Sequence, residues 1–377
     1  MLLKRLLISI LLCYAGNIFS QVKVTIIVDK LPAFQNAEAV YMAGNFNGWG
    51  PADNSFKLTQ QPKGNQLGLI NTKPGTVLQF KFTRGNWDKV ECNNEGKDVA
   101  NHSVKIINDT TLFYSIDSWK DAHPTIEKKH TASPQVHIMD SAFNLKKLGR
   151  SRRIWIYLPK DYATSKKRYP VLYMHDGQNL FDAFTSGFGE WGVDELLDKY
   201  FDQTGQSCIV IGIDNAAKRM TEYDPYDNQR FGKGEGVPYV QSISEDLKPF
   251  VDKHYRTLKD ASHTWMAGSS MGGIISQWAV MAYPKVYGKA GIFSPAFWVA
   301  PQFNTDVPKM MKGYNGEMYF YCGQKESATM VSDMDSVMMK VKQVSKAKTV
   351  RSVSPDGQHN ERNWNRVFPE FLKMVFE

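Results

Sequence analysis

Cysteine is scarce in this chain, with four residues in 377. Three of them, Cys92, Cys208 and Cys322, lie beyond the amino-terminal segment. An odd number without metal-like spacing excludes a fully paired disulfide framework and a cysteine zinc site. Cys208 and Cys322 fall in apolar, strand-like runs, so buried free thiols are expected. Long apolar runs are also missing. The run at 6–14 is the longest, short of the roughly 20 residues that span a bilayer, so no membrane span is expected. Nor is there a long stripe of one charge. The 46 Lys and Arg against 38 Asp and Glu are scattered, with only short clusters such as Lys146-Lys147 and 150–153, which argues against nucleic-acid binding. No low-complexity block and no internal repeat interrupts the chain.

The first twenty residues read as a signal peptide. Lys4 and Arg5 form a basic start, 6–14 an apolar stretch, and Ile18-Phe19-Ser20 a cleavage site with a small final residue. A mature start near Gln21, a net charge falling from +8 to +6 on cleavage, and export to the periplasm or exterior are the expectations. Leu12, standing where a lipoprotein needs a small residue, rules out anchoring through Cys13.

The length predicts two domains. From 21 to 117 short alternating strands, such as 22–28, 40–43, 77–82 and 103–107, are separated by turn residues, which predicts a small all-β, immunoglobulin-like sandwich. Residues 118–134 are charged and contain proline, as a linker would be. From 135 to 377 strands at 153–158, 171–174, 208–213, 263–267, 290–293, 318–322 and 349–353 alternate with helical patterns at 192–201, 240–255, 273–283 and 331–344. That order predicts an α/β fold with a mostly parallel sheet covered on both faces.

Gly268-Ser269-Ser270-Met271-Gly272 lies between an apolar strand and an apolar helix. A sharp strand-to-helix turn needs glycine on both sides to hold a serine strained and exposed at the carboxyl edge of the sheet, which makes Ser270 the candidate nucleophile. A serine hydroxyl needs a neighbouring base. Of eight histidines, His359 lies in a polar loop after the last candidate strand and before a terminal helix, where the order serine, acid, histidine puts the base. The acid belongs after strand 318–322. Glu326 is the first carboxylate there, and Asp333, Asp335 and Asp356 are the alternatives. Charge developing on the substrate carbonyl needs N–H donors. Met271 N–H follows the nucleophile, and Gln178 N–H, beside Gly177 in the loop after strand 171–174, is the candidate second donor. Aromatics in 182–190 and 223–237 (Phe184, Phe188, Tyr223, Tyr226, Phe231) form either a flat apolar platform for an acyl group or part of the core.

In series, YMHDGQNLFD (173–182), EWGVDELL (190–197), Arg219 with Glu222-Tyr223, the Gly268–Gly273 turn and GQHNERNW (357–364) make the chain resemble a family of α/β-hydrolase esterases. It contains carbohydrate esterase family 1, the feruloyl and acetylxylan esterases, and the enterobactin esterases. The resemblance covers 135–377. It implies ester hydrolysis through an acyl-enzyme without metal or organic cofactor, although aspartate is usual in the family where this chain offers Glu326. VYMAGNFNGW (40–49) and QFKFTRGNW (79–87) resemble carbohydrate-binding module family 48. That likeness implies sugar stacking on Trp49 and Trp87 with Lys81 and Asn101 on hydroxyls; a core role for Trp49 is the alternative. The expected substrate is a feruloyl or acetyl ester on a polysaccharide or oligosaccharide. A siderophore or other small ester, and an inactive glycan-binding protein, are the competing readings.

Overall fold

The computed structural model describes residues 21–34, 38–62, 66–123 and 129–377. The expected signal peptide, 1–20, and the middle of the expected linker, 124–128, lie outside the described residues. Contacts divide the chain into two units, 1–126 and 127–377.

The first unit is all-β. Alternation along Val22–Lys30 turns Val22, Val24, Ile26 and Val28 inward, as a strand buried on one face requires. This strand pairs antiparallel with Gln66–Thr72 and parallel with Thr110–Ser115. A second sheet joins Tyr41–Gly44, Val77–Thr83 and His102–Lys105, with Leu78, Phe80 and Phe82 pointing into the core between the sheets. Residues 118–123 are not linker. Ser118–Trp119 pairs with Glu91–Cys92, and the Trp119 ring is buried in the sandwich core. A charged composition hid a tryptophan that closes the unit.

The second unit carries an eight-stranded sheet. In spatial order it runs Val136–Leu145, Arg150–Tyr157, Ile209–Ile213, Val171–His175, Thr264–Ser269, Lys289–Phe293, Glu317–Gly323 and Lys348–Ser354. The last six are parallel to one another. The apolar runs of the first five fit strands covered on both faces, whereas Lys348–Ser354 is a polar edge strand. Val136–Leu145 is absent from the sequence reading because it is an edge strand, paired on one side with two register shifts, and has no clean alternation. The helical run expected at 240–255 starts earlier and contains a π turn: Gly236–Ser242, Ile243–Leu247 and Lys248–His254 follow one another. The helix Glu361–Phe376 packs Trp364, Val367, Phe368, Phe371 and Leu372 against one face of the sheet, the spacing of an amphipathic helix. Helix Met271–Ala282, buried almost throughout, belongs to the cluster on the other face. Among the described residues no helix is long and apolar enough to cross a membrane. Cys208 and Cys322 are free and buried, as expected, and so is Cys92.

Candidate active site

Ser270 stands between strand Thr264–Ser269 and helix Met271–Ala282 with φ 59° and ψ −119°. A positive φ is costly for any residue with a side chain, and such strain persists only where surrounding contacts impose it. Here Ser270 N–H donates to Phe293 O (2.9 Å), and Ser270 O accepts from Ala296 N–H (3.2 Å). The two glycines of the motif answer to close approach. A Cβ on Gly268 would stand 2.9 Å from the Gly272 carbonyl and from the His175 ring, and one on Gly272 would stand 3.3 Å from His175 Cβ.

His359 sits just before the terminal helix, whose first turn is capped by the Asn360 side chain accepting from Asn363 N–H (3.1 Å). Its Nδ1 lies 2.9 Å from Glu326 Oε2. An ionised carboxylate can only accept, so the proton belongs on Nδ1 and Nε2 is left as the base. The Glu326 side chain is wholly buried, whereas 35% of the His359 side chain is exposed. Glu326 Oε1 accepts from Ser294 Oγ (2.6 Å) and Gly323 N–H (2.5 Å). Ser294 Oγ in turn accepts from Trp364 Nε1 (2.9 Å). Loops from two neighbouring strands meet here because Gly323 and Gly357 cross closely: a Cβ on Gly357 would fall 2.7 Å from Gly323 Cα. Of the alternative acids, Asp335 pairs with Arg351 and Asp356 with Arg366.

Met271 opens its helix, so its N–H lacks an intrahelical acceptor. Gln178 lies in the turn Gly177–Asn179, which follows Asp176 in a left-handed conformation (φ 59°). Gln178 Oε1 accepts from Asn215 N–H (3.2 Å), and its carbonyl accepts from Thr185 Oγ (2.8 Å). This turn is tied to the serine turn by Arg219, which grips Asp176 with Nε and Nη2 (2.7 and 2.8 Å) and reaches Ser269 O (3.4 Å). Burial opposes the Asp176 charge, but Arg219 and the Asn215 amide (2.6 Å) outweigh it and hold the carboxyl below its ordinary value. His175 is buried and kept neutral, pushed down to about 3 by burial; Nδ1 lies 2.9 Å from the Tyr239 hydroxyl.

Several functional neighbours escaped the sequence reading. Ser294, with φ 44°, is 32 residues from Glu326, and only the structure joins them. Glu361, two residues past His359, is buried; burial and then the Asp176 charge push its carboxyl up to about 7. It accepts from Asn179 Nδ2 (3.1 Å). Trp298, 41% exposed on the segment that touches Ser270, faces Phe231 at 6.4 Å; an exposed tryptophan just after a carboxyl-edge strand was the available signal. The expected aromatic platform divides. Phe184 and Phe188 are exposed, Tyr226 and Phe231 pack partly against the core, and Tyr223 is a core residue whose hydroxyl accepts from Asp176 N–H (3.3 Å).

In the first unit, Trp49 and Trp87 face each other at 6.4 Å, tilted by 38°. Both are half-buried rather than core residues. Trp49 is held at φ 61°. Lys81 is partly buried, which lowers its pKa, and Asn101 is exposed.

A strained serine turn at the carboxyl edge of a mostly parallel sheet, with a histidine–carboxylate pair on the neighbouring loops, defines an α/β-hydrolase. The family profile that matches residues 146–374 is described as "Putative esterase", and the chain belongs to that family. It is 28% identical to Bacillus subtilis YbbA over 201 residues, covering 52% of this chain and 76% of YbbA. It is 22% identical to an endo-1,4-beta-xylanase/feruloyl esterase from Xylanibacter ruminicola over 253 residues, 64% of this chain but 31% of that enzyme. The enterobactin esterase FES from Shigella flexneri shares the fold, with TM-score 0.54 at 14% identity, over 90% of this chain and 88% of the other.

Proposed function

We propose that the protein is an exported serine esterase that hydrolyses feruloyl or acetyl esters on a polysaccharide or oligosaccharide through an acyl-enzyme. The observation that carries this reading is the chain Trp364–Ser294–Glu326–His359, buried at one end and opening toward solvent at the imidazole, and tied to the backbone-strained Ser270 through Phe293, which precedes Ser294 and accepts from Ser270 N–H. In this reading His359 Nε2 takes the Ser270 proton as Oγ attacks the ester carbonyl carbon. The Met271 and Gln178 N–H groups receive the negative charge on the carbonyl oxygen. Collapse of the tetrahedral intermediate breaks the bond to the sugar oxygen, which leaves with the proton from His359. Water, deprotonated by the same imidazole, then releases the acid and restores Ser270. Glu326 holds the ring in its tautomer and offsets the imidazolium charge.

Trp298, two residues past Ala296 whose N–H meets Ser270 O, pairs with Phe231, and an aromatic pair of this kind suits a phenolic acyl group. The Trp49–Trp87 pair offers two half-exposed aromatic faces of the sort that stack on sugar rings, with Lys81 and Asn101 as the polar partners. The basic and apolar start of the chain supports export. The test is acid release from a feruloylated arabinoxylan fragment, an acetylated xylo-oligosaccharide and a catecholate siderophore, each with wild type and Ser270→Ala. Serine-dependent turnover of a glycan ester supports the proposal and identifies the acyl group. Turnover of the siderophore alone would move the function to iron acquisition, and no serine-dependent turnover would leave a glycan-binding protein.

A further inference from the structure

The basic residues are scattered along the sequence, but the fold gathers Arg168, Lys248, Lys253, Arg256, Lys259 and Lys285 around one cavity of about 840 Å³, in which Asp252 is the one carboxylate. That volume is within the range of ligand clefts, about 300 to 1,000 Å³. Arg168 stands just ahead of strand Val171–His175, Lys259 ahead of Thr264–Ser269 and Lys285 ahead of Lys289–Phe293, three parallel neighbours in the sheet. The cavity therefore lies at the amino edge of the sheet, whereas Ser270 follows Thr264–Ser269 at the carboxyl edge. A strand of this length puts about 20 Å between the two edges. Ligands of the catalytic kind bind at the carboxyl edge in open parallel sheets, so the serine chemistry gives no account of this cavity.

The single acid is already used: Asp252 Oδ2 accepts from Lys248 Nζ (2.6 Å) and Oδ1 from Thr257 Oγ (2.7 Å). Among the described residues, Lys248 is the one lining Lys or Arg with a carboxylate partner. Arg256 is fixed by neutral groups instead. Its Nε donates to Lys167 O (3.2 Å), its Nη2 donates to Tyr162 O, and the guanidinium lies 3.7 Å over the Tyr162 ring. The wall beneath is built from paired backbone, with Tyr169 N–H donating to Arg256 O (2.9 Å) and Leu258 N–H to Tyr169 O (2.8 Å). Lys253 suits the last turn of helix Lys248–His254, where the carbonyl ends favour a cation. Arg168, Lys259 and Lys285 come from three other segments and have no such account. Like charges brought together without acids repel one another, and a bound anion relieves that repulsion. Tyr255, half-buried, lines the same cavity. One aromatic ring beside several cations suits a sugar that carries a carboxylate, whereas a nucleic-acid strand stacks successive bases on several aromatics.

We propose that this cavity anchors an acidic glycan, a run of uronic acid sugars whose carboxylates meet Arg168, Lys253, Lys259 and Lys285. That the anion is a glycan rests on the polysaccharide-esterase reading above, whereas the anion site itself does not. Anchoring at the amino edge holds polymer at the protein without occupying the serine site, and so raises the local concentration of ester-bearing chain.

The test is calorimetric titration of the full chain with galacturonic acid oligomers. Wild type binds them, and affinity falls steeply as the Debye length shrinks from about 30 Å at 0.01 M salt to about 8 Å at 0.15 M. Lys259 and Lys285 are exposed, so Lys259→Ala with Lys285→Ala keeps the melting curve and weakens binding roughly tenfold or more. Lys199→Ala with Lys312→Ala removes the same charge outside the cavity and leaves affinity within roughly twofold. Equal losses from the two pairs overturn the site, as does the absence of binding at low salt or equal affinity for a neutral xylo-oligosaccharide. Tighter binding of single-stranded DNA or of anionic lipid vesicles, lost in Lys259→Ala with Lys285→Ala, overturns the glycan assignment. Ser270→Ala binds the oligomers as wild type does, and the cavity variants turn over a small soluble ester as wild type does. If wild type binds the oligomers but shows no serine-dependent turnover of any ester, the esterase reading fails and the anion site stands.

Discussion

The serine edge of the hydrolase unit and the tryptophan pair of the sandwich unit both have the marks of function, but they are built differently. At the serine edge the buried carboxylates are committed. Ser270 is strained, Glu326 is buried with three donors, and Asp176 is gripped by Arg219 and Asn215. At the tryptophan pair two rings face each other half-exposed, on a fold whose core is made by other residues. The difference teaches that the first site cannot be dismantled without disturbing loops that follow six strands. The second can be removed while its sandwich remains.

Ser270→Ala breaks the comparison most deeply. Ester turnover should fall by roughly 10⁴- to 10⁶-fold in kcat, the scale seen when a triad nucleophile is deleted, with the melting curve preserved. Glu326→Gln comes next, because it retains shape but no longer holds the required tautomer. A fall of about 10³- to 10⁴-fold in kcat with KM little changed is expected, and Glu326→Asp should recover part of it. Ser294→Ala removes one donor to Glu326 and leaves Trp364 Nε1 without its acceptor. It should lower kcat about tenfold and cost about 1 to 3 kcal/mol in chemical denaturation.

The buried Glu361 sharpens the comparison through pH. Its folded pKa of about 7 lies above the ordinary 4.5, so the folded state holds the proton more tightly than the unfolded chain. The stability this brings is fully present below the ordinary value and is lost as pH rises through 7. Denaturation curves for Glu361→Gln should therefore gain on wild type between about pH 5 and pH 8. The smallest effect belongs to the sandwich. Trp49→Ala with Trp87→Ala should leave turnover of a small soluble ester unchanged and raise KM several-fold on a polymeric ester; equal KM on the polymer would leave the pair without a sugar-binding role.

Much of this was legible in the sequence. Buried parallel strands announce themselves as apolar runs, and Gly268, Ser270 and Gly272 are bound to one another by sterics that a pentapeptide displays. His359 and Glu326 could be found because loop order follows strand order. Ser294, Glu361 and Arg219 acquire their partners from distant segments, so no local pattern marks their contacts. The edge strand Val136–Leu145 and Trp119 were hidden for a related reason: what places them is pairing with a remote strand, not their own alternation.

The most direct measurement is labelling with a fluorophosphonate ester, followed by peptide mass analysis and assay of residual turnover. The account predicts one adduct per chain, on Ser270, with activity lost in proportion to labelling and no adduct in Ser270→Ala. Full turnover in Ser270→Ala, or inactivation with the adduct on another residue, would contradict it.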